Sequence, residues 1–288
     1  MGPAIDSLRP ALRVTGRNPA FLGAALLTLV GSGTASLVVR QIPVVGDVVH
    51  SVLVTPAFSA LLLGMAAAGL ATDAASLGDG VESLRSSYRS LVGAYALLVA
   101  GVLLVVVVWS VEVAVVLLAD GGGDLVGGLV RSDATASTGA SLRAATDPAA
   151  VGATPITITP ESAVPILAVT LLALALVLVG GLAVQFFDVA IVVGGESALA
   201  SFGASWRLFR EAPASVVAYS VIRMLPVVVT GLAVAGGYVV GASLAGTIGG
   251  VLFALPVVAL LGPITFAFIT SYHVAYYDAR MGNLPAGA

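Results

Sequence analysis

The chain has 288 residues, of which 59% are hydrophobic and 9% are charged, and its formal net charge is −3 at pH 7. A soluble domain carries roughly 25% charged residues, so this composition excludes a surface that faces water on all sides and indicates a protein embedded in lipid. Cysteine is absent, which excludes disulfides, thiolate nucleophiles and zinc–thiolate sites.

A nine-residue pattern precedes the first apolar segment and returns twice along the chain. Its copies are IDSLRPALR at 5–13, VESLRSSYR at 81–89 and LASFGASWR at 199–207. Aligned on Ser7, Ser83 and Ser201, the copies lie 76 and 118 residues apart, and the difference is close to the length of a polar insertion in the second copy. This recurrence predicts an internal repeat, with chance similarity in a low-complexity apolar sequence as the alternative.

Each copy of the pattern has bulky apolar residues at positions i, i+3 and i+7, which predicts an amphipathic helix. Arginine and aromatic residues beside the stripe are typical of a helix lying in the membrane interface, where arginine pairs with anionic headgroups. The interfacial residues are Arg13, Tyr88, Arg89, Trp206 and Arg207. Three roles stay open for these helices: anchoring the bundle, sensing or guiding lipid, and docking a cytoplasmic partner.

Six apolar segments are each long enough to cross a hydrocarbon core of roughly 30 Å as a helix of about 20 residues. They cover 21–39, about 48–70, 91–119, 163–193, about 214–240 and about 248–277. The segments are apolar throughout and do not alternate, so they predict helices. Gly237, Gly241, Ala245 and Gly249 follow one another in steps of four, a pattern typical of close helix packing but expected by chance in a chain with 34 glycines.

The first segment has a second interpretation as a cleaved signal peptide. Basic residues, the run FLGAALLTLV and then GTAS fit such a peptide with a cut after Ala35. The apolar run continues through LVV beyond that cut, and the residues upstream match the repeat, so a retained span is favoured.

A polar stretch at 120–162 separates the third and fourth segments. It is rich in Gly, Ser, Thr, Ala and Asp and has few residues able to form a core, which predicts a flexible external loop. The sequence therefore predicts an all-α integral membrane protein with a single domain over 1–288 and six transmembrane helices. These form three repeats of an interfacial amphipathic helix plus a two-span hairpin, over 5–72, 81–194 and 199–280.

Arginine placement predicts the orientation of these spans. With the N-terminus inside, eight arginines flank the inner ends of the spans and three flank the outer ends. Because basic residues concentrate on the cytoplasmic side, we expect both termini in the cytoplasm of a multi-pass cell-membrane protein.

Arg223 is the one arginine that falls within a predicted span. Intramembrane charges are costly and usually face the bundle interior, so we expect Arg223 to pair with Asp188 near the inner end of the fourth span. The pair has two open interpretations, a structural ion pair and a substrate or ion site. The third alternative is that Arg223 extends to the interface.

Motifs for catalysis and for cofactor binding are absent from the sequence. There is no G-x-S-x-G, no H-E-x-x-H and no P-loop, and no basic cluster suits nucleic acid. His50 and His273 fall on opposite sides of the membrane and cannot share a metal ion. We therefore expect no enzyme activity, cofactor or metal, and as partners membrane lipids, with a second copy or a membrane protein possible.

The end of the last span, SYHVAYYDARMG, resembles the YYD-x-R ending of membrane domains attached to glycerophosphoryl diester phosphodiesterases and of related uncharacterised multi-pass families. Its residues here are Tyr276, Tyr277, Asp278 and Arg280. The stretches RVTGRNPAFLG and RLFREAPASVVAY are similar to the amphipathic segments of those families. The arginine-only, Ala-, Val- and Gly-rich composition also resembles membrane proteins of halophilic archaea. This resemblance implies a membrane-embedded accessory domain without the phosphodiesterase itself.

The sequence-based expectation for function is a non-enzymatic structural or lipid-interacting membrane domain. The alternative is a small-solute or lipid transporter that uses Arg223 and Asp188.

Overall fold

The structure, a computed structural model, describes residues 2–39, 41–42, 45–135, 160–282 and 284, and their side chains except for 117–135 and 160–162. Every regular element within these residues is helical. The first part of the chain forms α1 (Gly2–Asp6), α2 (Leu8–Arg17), α3 (Pro19–Val39), α4 (Val45–Val49), a π-helical turn (His50–Val54), α5 (Thr55–Thr72) and α6 (Leu77–Thr135). The second part forms α7 (Pro160–Val184), α8 (Phe187–Val192), α9 (Ala198–Glu211) and α10 (Pro213–Met281).

Five helical segments of the described chain are long and apolar enough to cross a membrane. They are Pro19–Val39, Val45–Thr72, Leu77–Val116, Ala163–Val192 and Pro213–Met281. Their side chains face outward over most of their length, as expected for helices whose solvent is lipid. The fold is therefore all-helical, with several helices that could span a bilayer.

The last helix, α10, consists of two arms joined at Ala245 and Gly246, which have non-helical backbone angles. Gly246 has a φ of 66°, a conformation that glycine adopts without strain. The arms fold back on each other, since Thr230 and Thr265 share a hydrogen bond of 2.7 Å across them.

The two arms approach most closely at Gly241 and Gly249. A Cβ built on Gly241 would lie 2.2 Å from the Gly249 carbonyl oxygen, and one built on Gly249 would lie 2.4 Å from that of Gly241. Only a residue without a side chain fits at either position. The four-residue glycine spacing thus lies at a real helix–helix contact.

Proline separates the amphipathic helices from the spans in two of the three copies. Proline disfavours the helical conformation of the residue before it, and proline itself suits the first position of a helix. Accordingly α2 ends before Asn18–Pro19, and α9 ends before Ala212–Pro213.

The second copy differs from the prediction because no such break is present. The sequence around Arg89–Ser90–Leu91 contains no proline, and α6 continues without interruption from Leu77 to Thr135. A separate interfacial helix was predicted at 81–89, and the structure instead shows the beginning of a long helix. The predicted loop at 120–162 also begins within α6 and ends within α7, and its central part, 136–159, lies outside the described residues.

The chain forms two compact units, Met1–Ala100 with Val179–Ala288 and, separately, Gly101–Leu178. In the second unit the Trp109 indole donates a hydrogen bond of 3.2 Å to Thr170 Oγ1, which links α6 to α7. The first unit contains the described core, in which large buried side chains such as Phe21, Met65 and Leu208 pack among alanines. Small residues let helix backbones approach closely where apolar burial alone gives no advantage over lipid.

The N-terminal helices are attached to the end of the last helix. The Tyr272 hydroxyl donates a hydrogen bond of 2.9 Å to the Ala4 carbonyl, and Thr15 Oγ1 lies 3.4 Å from Ser271 Oγ. At the junction of α2 and α3, Asn18 Oδ1 accepts a hydrogen bond of 2.9 Å from the Ala75 amide. These bonds tie α1, α2 and the end of α10 into one packed base within the first unit.

Candidate functional site

A break between α7 and α8 creates the site at the base of the bundle. Helix α7 ends at Val184 and α8 begins at Phe187, which leaves backbone groups without helical partners. Ser205 of α9 satisfies two of them, because its hydroxyl donates to the Ala183 carbonyl at 2.8 Å and accepts from the Phe186 amide at 3.1 Å. This arrangement turns the chain and points the next polar residue, Asp188, toward α10.

Asp188 begins a chain of hydrogen bonds that connects α8 to both arms of α10. Asp188 Oδ1 lies 3.0 Å from Nε2 of His273. The other ring nitrogen of His273, Nδ1, forms a hydrogen bond with the Tyr219 hydroxyl. Arg223 lies one helical turn beyond Tyr219, close enough to interact electrostatically with the Tyr219 hydroxyl and the Asp188 carboxylate. Both imidazole nitrogens are therefore occupied by protein groups.

Aromatic rings pack against this polar chain. The Phe186 ring stacks on His273 with ring centroids 5.1 Å apart, and Tyr219 stacks on Tyr276 at 4.5 Å. Phe187, which precedes Asp188, meets Tyr95 edge to face at 5.0 Å. Such contacts fix ring orientation beyond what apolar burial provides, so the imidazole is held in one position.

Two further pairs of polar residues border the cluster. The Tyr95 hydroxyl lies 3.2 Å from Ser59 Oγ, which connects α6 to α5. Ser220 Oγ donates a hydrogen bond of 3.0 Å to Gln185 Oε1, whereas Gln185 Nε2 is buried and has no hydrogen-bond partner among the described residues. The cluster thus draws polar groups from four helices and from the break between α7 and α8.

The cluster lies where the packed base gives way to the exposed apolar arms. Tyr219 is the last buried core residue on the first arm of α10, and Arg223 follows one turn later with partial exposure. The Asp188 side chain is 17% exposed and that of His273 is 3% exposed. The acid is therefore reachable from the surface, while the imidazole is not.

The structure places Arg223 and Asp188, the predicted polar pair, in this one cluster. The closest ionisable partner of Asp188 is His273, which the sequence analysis considered only as a metal ligand. His273 lies 85 residues from Asp188 along the chain, so no spacing in the sequence could connect them. The only available signal was that both residues fall near the inner ends of predicted spans.

The tyrosines of the YYD-x-R ending are buried beside this cluster. Tyr276 donates a hydrogen bond of 2.9 Å to Ser215 Oγ, and Tyr277 is almost fully buried. Asp278 closes the end of α10, because its side chain accepts a hydrogen bond of 2.7 Å from the Leu284 amide. Arg280 is partly buried, and its Nε has no partner within the described part of the chain. The motif therefore forms the C-terminal end of the last helix.

The amphipathic helices α2 and α9 divide their surfaces in the same way. The buried faces contain small residues such as Ala11 and Ser201, together with one bulky residue on each helix, Val14 and Leu208. On the predicted stripe Leu12 is 59% and Leu199 is 72% exposed, whereas Leu8, Phe202 and Phe209 are partly buried against the core. Trp206 is also exposed, as are Arg13 and Arg207. On α6, Arg89 is exposed and the Tyr88 hydroxyl bonds to the Leu53 carbonyl at 3.0 Å.

The repeated serines all lie where these helices pack closely. Ser7 and Ser201 are buried, and each hydroxyl bonds to a carbonyl of its own helical segment, Pro3 and Ala198 respectively. A Cβ built on Gly64 would lie 2.3 Å from Cβ of Ser83, so α5 and α6 touch at this serine. The Ser83 hydroxyl is buried and has no hydrogen-bond partner among the described residues. Only Ser7 and Ser201 therefore combine a small side chain with a hydroxyl that is satisfied by the local backbone.

A family model described as a domain of unknown function, DUF7847, matches residues 3–280. The chain belongs to the DUF7847 family. The matched range contains Asp188, Tyr219, Arg223 and His273 of the polar cluster and both amphipathic helices. Searches of curated proteins and of solved structures found no match to this DUF7847 member. Because the family description names no activity, the geometry of the cluster and of the amphipathic helices has to indicate the function.

Proposed function

We propose that the protein is a non-enzymatic, multi-pass domain of the cell membrane that binds lipid at its surface and holds a helix bundle in place. The supporting observation is that bulky apolar residues stay exposed beside arginine on both helices, Leu12 with Arg13 on α2 and Trp206 with Arg207 on α9. An exposed apolar stripe flanked by arginine suits the boundary between acyl chains and anionic headgroups. Membrane lipids are thus the proposed partners.

The polar cluster supports a structural role over a catalytic one. A general base must reach a substrate proton, but both ring nitrogens of His273 are engaged, with Asp188 and with Tyr219. The hydrogen bonds instead connect α8 to both arms of α10. In this proposal the cluster fixes helix packing, and no cofactor or metal takes part.

The proposed topology has six spans in three units, with both termini in the cytoplasm. The fold-back of α10 at Ala245 and Gly246 supports counting its two arms as separate spans. The buried serines and the prolines after α2 and α9 support the first and third units. The arrangement fits the accessory role implied by the similarity to phosphodiesterase membrane domains.

Cysteine labelling tests this topology, because the chain contains no cysteine and each single-cysteine variant reports one position. We expect Ser86→Cys and Gly203→Cys, both at exposed positions, to react with a membrane-impermeant maleimide only after the cells are opened. Gly139→Cys, in a segment outside the described residues, should react in intact cells. Labelling of Ser86→Cys and Gly203→Cys from opposite sides, or of Gly139→Cys only from inside, would contradict the proposal.

A second function, transport of a small solute or lipid, is favoured by one observation. Asp188 and Arg223 are both partly exposed, and intramembrane charges that remain reachable often mark a substrate path.

Proteoliposomes separate the two functions. We expect vesicles containing the wild-type protein to show dithionite quenching of fluorescent phosphatidylglycerol, and swelling in glycerol, no faster than empty vesicles. Vesicles containing the Arg223→Met variant should show the same rates of quenching and swelling as vesicles containing the wild-type protein. Fast exchange or swelling that the Arg223→Met variant loses while remaining folded would establish transport in place of the structural role.

A further inference from the structure

A groove opens between α2 and the two arms of α10. It has a volume of about 390 Å³, within the range of roughly 300–1,000 Å³ that is typical of small-molecule sites. Leu12 and Gly16 form one wall, and Pro226, Ile264 and Phe268 form the other. The groove is therefore lined mainly by apolar groups.

The two polar side chains in the lining have hydrogen-bond partners within the protein. Thr15 Oγ1 donates to the Ala11 carbonyl at 2.9 Å, and Thr265 Oγ1 shares a hydrogen bond of 2.7 Å with Thr230. Neither hydroxyl needs a ligand to satisfy it. The groove therefore offers an occupant mainly apolar contacts, which suit a hydrocarbon chain.

Two arginines border the wall that α2 contributes. Arg9 precedes Leu12 by three residues, and Arg13 precedes Gly16 by three residues, and residues three apart are neighbours on a helix surface, about 5–6 Å between Cβ atoms. Both arginines are exposed. Within the described residues, neither forms an ion pair with a carboxylate. Positive charge is therefore available at one edge of an apolar groove.

We propose that this groove holds one hydrocarbon chain of an anionic membrane phospholipid whose phosphate binds Arg9 and Arg13. The apolar lining fits the chain, and the guanidinium groups fit the phosphate, for which arginine has matched hydrogen-bond geometry. This proposal rests on the proposed lipid-binding role and adds a defined site to it. The lipid is held between an interfacial helix and the last hairpin rather than spread around the bundle.

Gly16 offers a way to fill the groove without disturbing the fold. A Cβ built on Gly16 meets no atom within 4 Å, and the same holds for Gly203 on α9, which does not line the groove. Both glycines are exposed positions in amphipathic helices. Gly203→Leu is therefore a matched control for Gly16→Leu, because both changes add the same side chain to the same kind of helix.

The test uses the purified full-length protein in detergent and phosphatidylglycerol that carries a diazirine in one acyl chain. After illumination, mass spectrometry measures the labelled fraction of the peptides that contain Leu12 or Ile264. We expect saturable labelling at these peptides, competed by unlabelled phosphatidylglycerol more strongly than by phosphatidylcholine. Gly16→Leu should abolish this labelling, and Gly203→Leu should leave it unchanged.

The charge requirement is tested separately. Each arginine near an anionic surface contributes enough for roughly a fivefold change in affinity, so Arg9→Gln with Arg13→Gln should weaken binding by about 25-fold. The control pair, Arg85→Gln with Arg210→Gln, removes exposed arginines from α6 and α9 instead and should have no effect on labelling at the groove.

Equal labelling of Gly16→Leu and Gly203→Leu would overturn the groove site, and so would equal competition by the two lipids. Either result would leave the general lipid-binding role intact if labelling spread along the exposed helices. A loss of all labelling, in the wild type as well, would instead count against both proposals.

Discussion

Replacing Gly241 with alanine is expected to destabilise the last hairpin strongly. The new Cβ would lie 2.2 Å from the Gly249 carbonyl oxygen, and the obstacle is backbone, which cannot rotate away as a side chain can. Overpacking of this kind costs about 1–3 kcal/mol and sometimes more, so we expect a loss of at least about 2 kcal/mol. Thermal unfolding of the purified protein measures the change.

The matched control for this change is Gly236→Ala on the same arm. A Cβ built on Gly236 meets nothing within 4 Å, and alanine is the better helix former by about 1 kcal/mol. We expect Gly236→Ala to unfold at the same temperature as the wild type or a higher one, and Gly249→Ala to behave like Gly241→Ala. If Gly241→Ala and Gly236→Ala unfold alike, the two arms do not make the close contact described.

Removal of the Asp188 carboxylate is the second change for which we expect a large effect. In the Asp188→Ala variant, His273 loses the partner of its Nε2 atom, and Arg223 loses the nearby negative charge. Breaking a buried pair by removing one partner costs about 3–5 kcal/mol. Because Asp188 is 17% exposed, we expect a value near the lower end, about 3 kcal/mol, measured by thermal or denaturant unfolding.

A control and a second-site variant make this prediction specific. Asp73 is exposed and lies at the end of α5, so Asp73→Asn should change stability by less than about 0.5 kcal/mol. Adding Arg223→Met to Asp188→Ala should restore part of the loss, because the uncompensated positive charge is then gone. Additive losses in the double variant would show that the two residues do not interact. A stability of Asp188→Ala equal to that of Asp73→Asn would show that the cluster does not hold the helices together.

Much of the helical framework could be predicted from the sequence because its signals are local. The apolar runs define the long helices, and the Asn18–Pro19 and Ala212–Pro213 pairs lie where two amphipathic helices end. The continuous α6 could have been predicted in the same way, since nothing around Ser90 breaks a helix. The prediction of a separate helix at 81–89 rested on similarity among the three copies, but the second copy has no proline to end that helix.

The candidate site was only half predictable, because its contacts are not local. An arginine within an apolar run needs a partner of opposite charge, and this predicted that Arg223 would pair with Asp188. That His273 and Tyr219 would join them depends on how α10 folds back at Ala245 and Gly246. The contact between Gly241 and Gly249 also depends on this fold-back. In a chain with 34 glycines, a four-residue spacing does not by itself predict a helix contact.

The bond from Tyr272 to Ala4 has a consequence for biosynthesis. These residues are separated by 268 positions, so the first helices leave the ribosome on the order of tens of seconds before their docking surface exists, at roughly 5–20 residues per second. During that interval Ala4 lacks the hydroxyl that its carbonyl accepts from in the folded chain, although α2 can already pack against α5 and Asn18 can already bond to Ala75. The contacts of α1 and α2 with α10 therefore form only after the final helix has been made.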